Sequence, residues 1–262
     1  MKLNSCMNFD LTILIAHYNR TNCLLKSLGS LHTVFGDTVE YLIADDCTPE
    51  HKLNSIVNNY NVNISRLSCN SGLGANINNA IKQIKTKYVL QIQDDHYLKK
   101  GVDNNFIINA IECLDKYSDL DMIRFLLPYN LSIKEFRSLG TMDLCIINNN
   151  IFKNIPYSFN VYSDWPHLRR LTSYNQFGNY EENQPVGVTE LAYGMKYILQ
   201  KGKVGYLNVY RNIFEHDSQG FTYNKPTNNN NNIPILKYLW LIKSFIAYCY
   251  LKITGRFPFR LY

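Results

Sequence analysis

The sequence predicts an α/β fold with a mainly parallel, Rossmann-like central sheet flanked by helices and a C-terminal helical tail. Three observations carry this expectation. Short β-rich apolar runs alternate with helical periodicities through the first half, the signature of βαβ units. Polar residues cluster directly after successive apolar runs, where open α/β sheets bind ligands. A chain of 262 residues, 46% of them hydrophobic, also holds enough apolar material for one large domain or two small ones.

In order along the chain, Leu11 to Ala16, Tyr41 to Ala44, Val62 to Leu67, Tyr88 to Ile92 and Met122 to Leu126 read as strands. Between them, Leu24, Leu25, Leu28 and Leu31 mark one helix face, Ile77, Ala80, Ile81 and Ile84 a second, and Phe106, Ile107, Ala110, Ile111 and Leu114 a third. The stretch from Asn130 to Pro185 is less periodic and rich in Tyr, Asn and Ser, as either a substrate-shaping region or ordinary surface loops would be. A helix over Val188 to Gln200 and a strand over Val204 to Leu207 follow. Pro226 to Asn232 carries consecutive asparagines and reads as a disordered linker.

The tail, residues 233–262, reads as a basic amphipathic helix. Lys237, Ser244 and Lys252 fall within about 80° on a helical wheel, and the rest of Ile235 to Ile253 is dense in apolar and aromatic side chains. The lysines speak against a spanning helix. They leave a helix lying in a membrane interface, a helix docked on the core, or an oligomer contact.

Charge and cysteine content exclude several classes. The net charge is +6, but the tail contains Lys237, Lys243, Lys252, Arg256 and Arg260 and no acid, which leaves about +1 for the body and excludes general nucleic-acid binding there. Seven scattered cysteines without a Cys-x-x-Cys pair argue against zinc or a redox dithiol and are expected to be reduced and mostly buried. With no N-terminal run of signal-peptide form, a cytoplasmic protein is expected, peripheral on the membrane if the tail binds there. The sequons at Asn63 and Asn130 are then incidental.

Four polar clusters follow strands: Ala16-His17-Tyr18-Asn19-Arg20, Asp45-Asp46-Cys47-Thr48, Asn70-Ser71-Gly72-Leu73-Gly74-Ala75 with Asn78 beyond it, and Gln93-Asp94-Asp95-His96. An aromatic such as Tyr18 packs on a pyrimidine ring, and a strand-end carboxylate such as Asp45 or Asp46 accepts hydrogen bonds from a base or ribose. Asp46 is equally suited to cap a turn or helix. The Gly72 and Gly74 loop brings backbone N–H groups toward a phosphate or is a plain turn.

In this order the clusters resemble glycosyltransferase family 2 of the GT-A fold. Leu11 to Arg20 is similar to its opening strand and loop, Tyr41 to Thr48 to its second strand with paired aspartates, and Gln91 to His96 to its Asp-x-Asp region. The resemblance spans roughly residues 9–221. It implies a GT-A domain over 1–232, with a nucleotide-sugar half at about 9–126 and an acceptor half at about 127–225. It further implies a donor site from Ala16, His17, Tyr18, Arg20, Asp45, Asp46, Asn70, Gly72, Asn78 and Asp94. A divalent metal, Mn2+ or Mg2+, is implied at Asp95, with Asp94 and His216 as further ligands. Gln93 replaces the first aspartate of the motif, and the diphosphate-binding Arg expected near Ile77 is absent, so Arg20 is the candidate to compensate.

The family's general base is the Asp of a Glu-Asp pair beginning a helix. Glu190 matches the Glu, with Gly202 twelve residues on, but Leu191 stands in place of the Asp. The base is therefore expected from Glu190, Asp164, Glu181 or Glu182, with Glu190 alternatively an acid favoured by the helix dipole. The resemblance implies an inverting transferase of polysaccharide biosynthesis that moves a sugar from a nucleoside diphosphate, expected to be UDP, to a glycan or lipid-linked hydroxyl. A non-catalytic nucleotide- or glycan-binding domain is the alternative, with Leu191 as its symptom.

Overall fold

The computed structural model describes residues 9–57, 59–127, 131–150, 161–217, 242, 245–247 and 249–255. The elements in chain order are β1 (Leu11–His17), α1 (Thr21–Phe35), β2 (Glu40–Asp45), α2 (Glu50–Val57), β3 (Asn63–Arg66), α3 (Gly72–Ile81), β4 (Tyr88–Gln93), β5 (His96–Leu98) and α4 (Asn105–Lys116). There follow β6 (Met122–Arg124), β7 (Ile133–Leu139), β8 (Met142–Ile147), β9 (His167–Arg170), α5 (Leu171–Phe177), α6 (Val186–Leu199), β10 (Val204–Leu207) and β11 (Phe214–His216). The 226–232 linker lies outside the described residues.

Nine strands form one mixed sheet in the order β3-β2-β1-β4-β9-β6-β10-β8-β7. The first four run parallel, β9 lies antiparallel between β4 and β6, β10 is parallel to β6, and the β7–β8 hairpin closes the edge antiparallel to β10. All but β8 and β9 therefore point the same way, and the sheet is mainly parallel in direction. Every residue of β1 is buried, as a central strand covered on both faces must be. Its period-two alternation sends Leu11, Ile13 and Ile15 into one core with α1 and α4, and Leu14 and Ala16 into a second with α3, α5 and α6.

The stretch expected to be irregular is partly sheet. The β7–β8 hairpin turns at Gly140, whose φ of 58° favours glycine, and β9 with α5 brings a further crossing of the sheet. The cysteines also differ from expectation: among the described ones only Cys113 and Cys145 are buried, and none is in a disulfide.

Two buried features fix the second half on the first. The Arg169 guanidinium lies 3.4 Å from the centre of the Tyr174 ring and donates to Gln91 Oε1 on β4 at 3.0 Å, so aromatic faces and neutral oxygens surround a fully buried cation. Gly74 in α3 meets the chain at Glu181 so closely that an added Cβ would lie 2.0 Å from its carbonyl oxygen. Gly74→Ala therefore forces two backbones apart, and a loss of about 2–4 kcal/mol is expected in denaturant unfolding. An unchanged midpoint would show that the contact yields.

The tail is helical at its described positions between 242 and 254 and ends at Gly255, whose φ is 68°. Ala247 and Leu251 are buried against Leu191, Ala192 and Met195 of α6. No helix among the described residues is long and apolar enough to cross a membrane.

Candidate active site

The parallel order β2-β1-β4 places three strand tips side by side, and the polar clusters of the sequence meet there. Backbone bonds lock them: Asp46 N–H donates to the His17 carbonyl and Asp94 N–H to that of Ala16, both at 3.0 Å. The Asn19 N–H donates to Thr48 Oγ1 at 2.8 Å, joining the loops after β1 and β2. Tyr18 projects from this junction and is 46% exposed, free to meet a planar ligand.

Asp95 is the focus. The short antiparallel pair β5–β11 puts His216 opposite His96, with Asp217 N–H donating to the Asp95 carbonyl at 2.7 Å. His216 Nε2 then lies 3.3 Å from Asp95 Oδ2, and His96 Nδ1 3.0 Å from Asp95 Oδ1, close enough for charge attraction although not aligned as a hydrogen bond. Ligand atoms of Asp95, His96 and His216 all fall within 4.8 Å of one another. His96 Nε2 and Asp95 Oδ1 are buried and lack hydrogen-bond partners, and such a donor set suits a transition-metal cation. Burial opposes ionisation of Asp95, but His216, His96 and Arg20 outweigh it and hold its carboxyl well below the usual carboxylate range.

Other expected residues sit differently. Asp94, expected at both metal and donor, turns into the interior, where it accepts from His17 Nδ1 at 2.7 Å and pairs with Arg20. Asp94 and Asp95 form the turn between β4 and β5, and of the two it is Asp95 that lies against His96 and His216. His17 is consequently a buried partner of Asp94 and Ala16 a nearly buried strand residue. Arg20 also donates to Asp95 Oδ2 at 2.6 Å, where it balances both aspartates.

The paired aspartates are occupied by the backbone. Asp45 accepts from Thr48 N–H and faces Arg66, while Asp46 accepts from Ser71 N–H at 2.7 Å and Gly72 N–H at 2.9 Å. The first-turn N–H groups expected to meet phosphate at Gly72 are thus capped by Asp46. Asn78 is buried and spans to Tyr180 and Glu182, tying α3 to the later loop and lying away from the junction of strand tips, while Asn70 is exposed.

A carboxyl pair stands near Asp95. Glu190 Oε1 accepts from Ser163 Oγ at 3.1 Å and from Asp164 N–H at 3.0 Å, and Gln93 Nε2 donates to the Asp164 carboxylate. Burial, then the neighbouring Glu190 and the charge of Asp95, push the Asp164 carboxyl well above the usual range. Buried Arg124 lies close enough for Glu190 and Asp164 to act on it, although burial lowers it to about 10. Helix α6 begins at Val186 after Pro185, so Glu190 sits in its second turn and the helix dipole does not account for it. Glu181 is not brought to this pair: its carboxylate meets Lys196 Nζ at 2.9 Å. Beside His216 opens a cleft of about 690 Å³ lined by Tyr97, Lys99, Trp165, Phe214 and Glu215. In the sequence His96 belongs to the fourth polar cluster without a ligand role assigned to it, and Trp165 is not singled out.

A sheet with tips converging on an acidic and imidazole cluster defines an α/β domain of the GT-A type. Residues 12–110 match the family described as glycosyl transferase family 2. The chain is similar in structure to S. aureus TarS. The TarS 1–349 crystal structure in complex with UDP-GlcNAc superposes with a TM-score of 0.57 at 17% identity over 94% of this chain and 74% of that one. The structure of TarS 1–349 in complex with UDP gives 0.53 at 20%, covering 75% and 57%. A longer TarS structure gives 0.54 at 19%, covering 75% of this chain and only 35% of that chain. No curated protein matches the sequence.

Proposed function

We propose that the chain is an inverting glycosyltransferase that moves a sugar from a nucleoside diphosphate, UDP by analogy with the ligands of TarS, to a hydroxyl of a glycan or lipid-linked acceptor. The observation that carries the reading is the Asp95, His96 and His216 cluster beside the Asp164–Glu190 pair, within and adjoining the family segment. In this reading residues 9–126 serve the donor and 127–225 the acceptor. Tyr18 stacks on the base, and Arg20, freed from Asp95, meets the diphosphate.

Asp95, His96 and His216 would hold a divalent cation, whose charge offsets that of the departing diphosphate. Two imidazoles favour manganese over magnesium, which prefers an all-oxygen shell. Asp164 accepts the proton of the acceptor hydroxyl as its oxygen bonds to the anomeric carbon and the bond to the diphosphate breaks. A carboxyl already biased toward protonation is a competent acceptor for that proton. Glu190 holds Asp164 in place, and the Trp165 cleft takes the acceptor's apolar sugar face. A role in polysaccharide synthesis, at a membrane reached through residues 233–262, belongs to the same reading.

Incubating the protein with manganese and a panel of UDP sugars tests it. Release of UDP, accelerated by a glycan or lipid-linked alcohol, is the expected result. Tight nucleotide binding with no turnover across the panel would establish a non-catalytic binding domain instead.

A further inference from the structure

The tail helix is fastened on one side and bare on the other. Ala247 and Leu251 pack on Leu191, Ala192 and Met195, so the leucine that replaces the family's aspartate is part of the helix–helix contact. On the remaining surface, Ile242, Phe245, Ile246, Tyr250 and Ile253 are 45% to 83% exposed. At about 100° per residue these five lie within an arc of about 140°, centred on the side away from Ala247 and Leu251. A contiguous apolar strip of this kind on a surface marks a binding face.

We propose that the tail helix is a two-sided clip, binding α6 through Ala247 and Leu251 and an anionic lipid bilayer through Ile242, Phe245, Ile246 and Ile253. Charge selects the occupant. Residues 233–262 carry Lys237, Lys243, Lys252, Arg256 and Arg260 and no acid, and these account for five of the six net positive charges of the chain. An anionic surface attracts that segment, whereas apposing a second copy through the same face would bring its cations together. Because Leu191 adjoins Glu190, the clip would hold the helix bearing Glu190 at a fixed distance from the bilayer. The proposal stands apart from the transfer reaction, which the UDP-release assay reports separately.

Flotation of the full chain with phosphatidylcholine vesicles, with and without about 30% phosphatidylglycerol, tests it. The chain is expected to partition onto the anionic vesicles at least about tenfold better than onto the neutral ones, and less as salt is raised. Ile246→Asn with Ile253→Asn should reduce binding about tenfold without moving the melting temperature, since both side chains are exposed. Lys252→Glu should weaken it while leaving the apolar strip whole. The proposal is overturned if the chain stays with the soluble fraction, if the double variant floats as well as the parent, or if the strip proves to mediate a lipid-free dimer by sedimentation velocity.

Discussion

Asp95→Asn is expected to weaken manganese binding by at least about 100-fold and to remove transfer with it. The substitution keeps size and backbone, so the Asp217 N–H bond to the residue-95 carbonyl survives. What disappears is the one carboxylate shared by His96, His216 and Arg20. Without it the two imidazoles retain their positions but lose the anion that makes a cation welcome between them, and Arg20 falls back on Asp94 alone. Titration calorimetry with manganese, run with no sugar nucleotide present, separates metal loss from catalytic loss. Unchanged affinity in the variant, with the melting temperature preserved, would exclude Asp95 as the principal ligand.

The same site shows what a sequence discloses and what it withholds. The tips of β1, β2 and β4 were legible because each follows a continuous apolar run, and a central parallel strand can be little else. That Asp94 turns away from Asp95 toward His17 was not legible, because it depends on which way the chain leaves the strand. The partnership of His96 with His216 needs two three-residue strands that pair across more than a hundred residues, too short to show a period. The β7–β8 hairpin left only the glycine at its turn as a signal: the apolar residues of Ile133–Leu139 are spaced by three rather than two, and Phe136 lies on the exposed face. Asp46 held both of the readings open at the outset, and the choice of capping Ser71 and Gly72 follows from a contact between distant segments. Leu191 looked like a defect in a catalytic motif. Its burial beneath the tail helix gives that position a packing role instead.

If Leu191 cannot serve, the proton must go elsewhere, and Asp164→Asn is expected to lower kcat by about 10²–10⁴-fold with little change in nucleotide affinity. The pH dependence carries the distinguishing sign. Asp164 accepts a proton only when ionised, and its carboxyl is held above the ordinary range by burial, Glu190 and Asp95. Activity in the parent should therefore fall on the acid side with an apparent pKa above that of a free carboxylate, and a bound divalent cation should move that limb to lower pH. Stability moves in the opposite sense to activity. The folded protein keeps a proton that the unfolded chain releases near pH 3.9, so this contribution is complete below that value and is lost as pH rises through the folded pKa. Asp164→Asn should flatten that decline in denaturant midpoints. Glu190→Gln removes the nearest repelling charge while keeping an oxygen for the Asp164 N–H, so it should shift the acid limb downward and cost less in rate. Were Glu190 itself the base, the order would reverse, with Glu190→Gln inactive and Asp164→Asn retaining most of the rate, and that reversal would move the proton to the helix the tail holds.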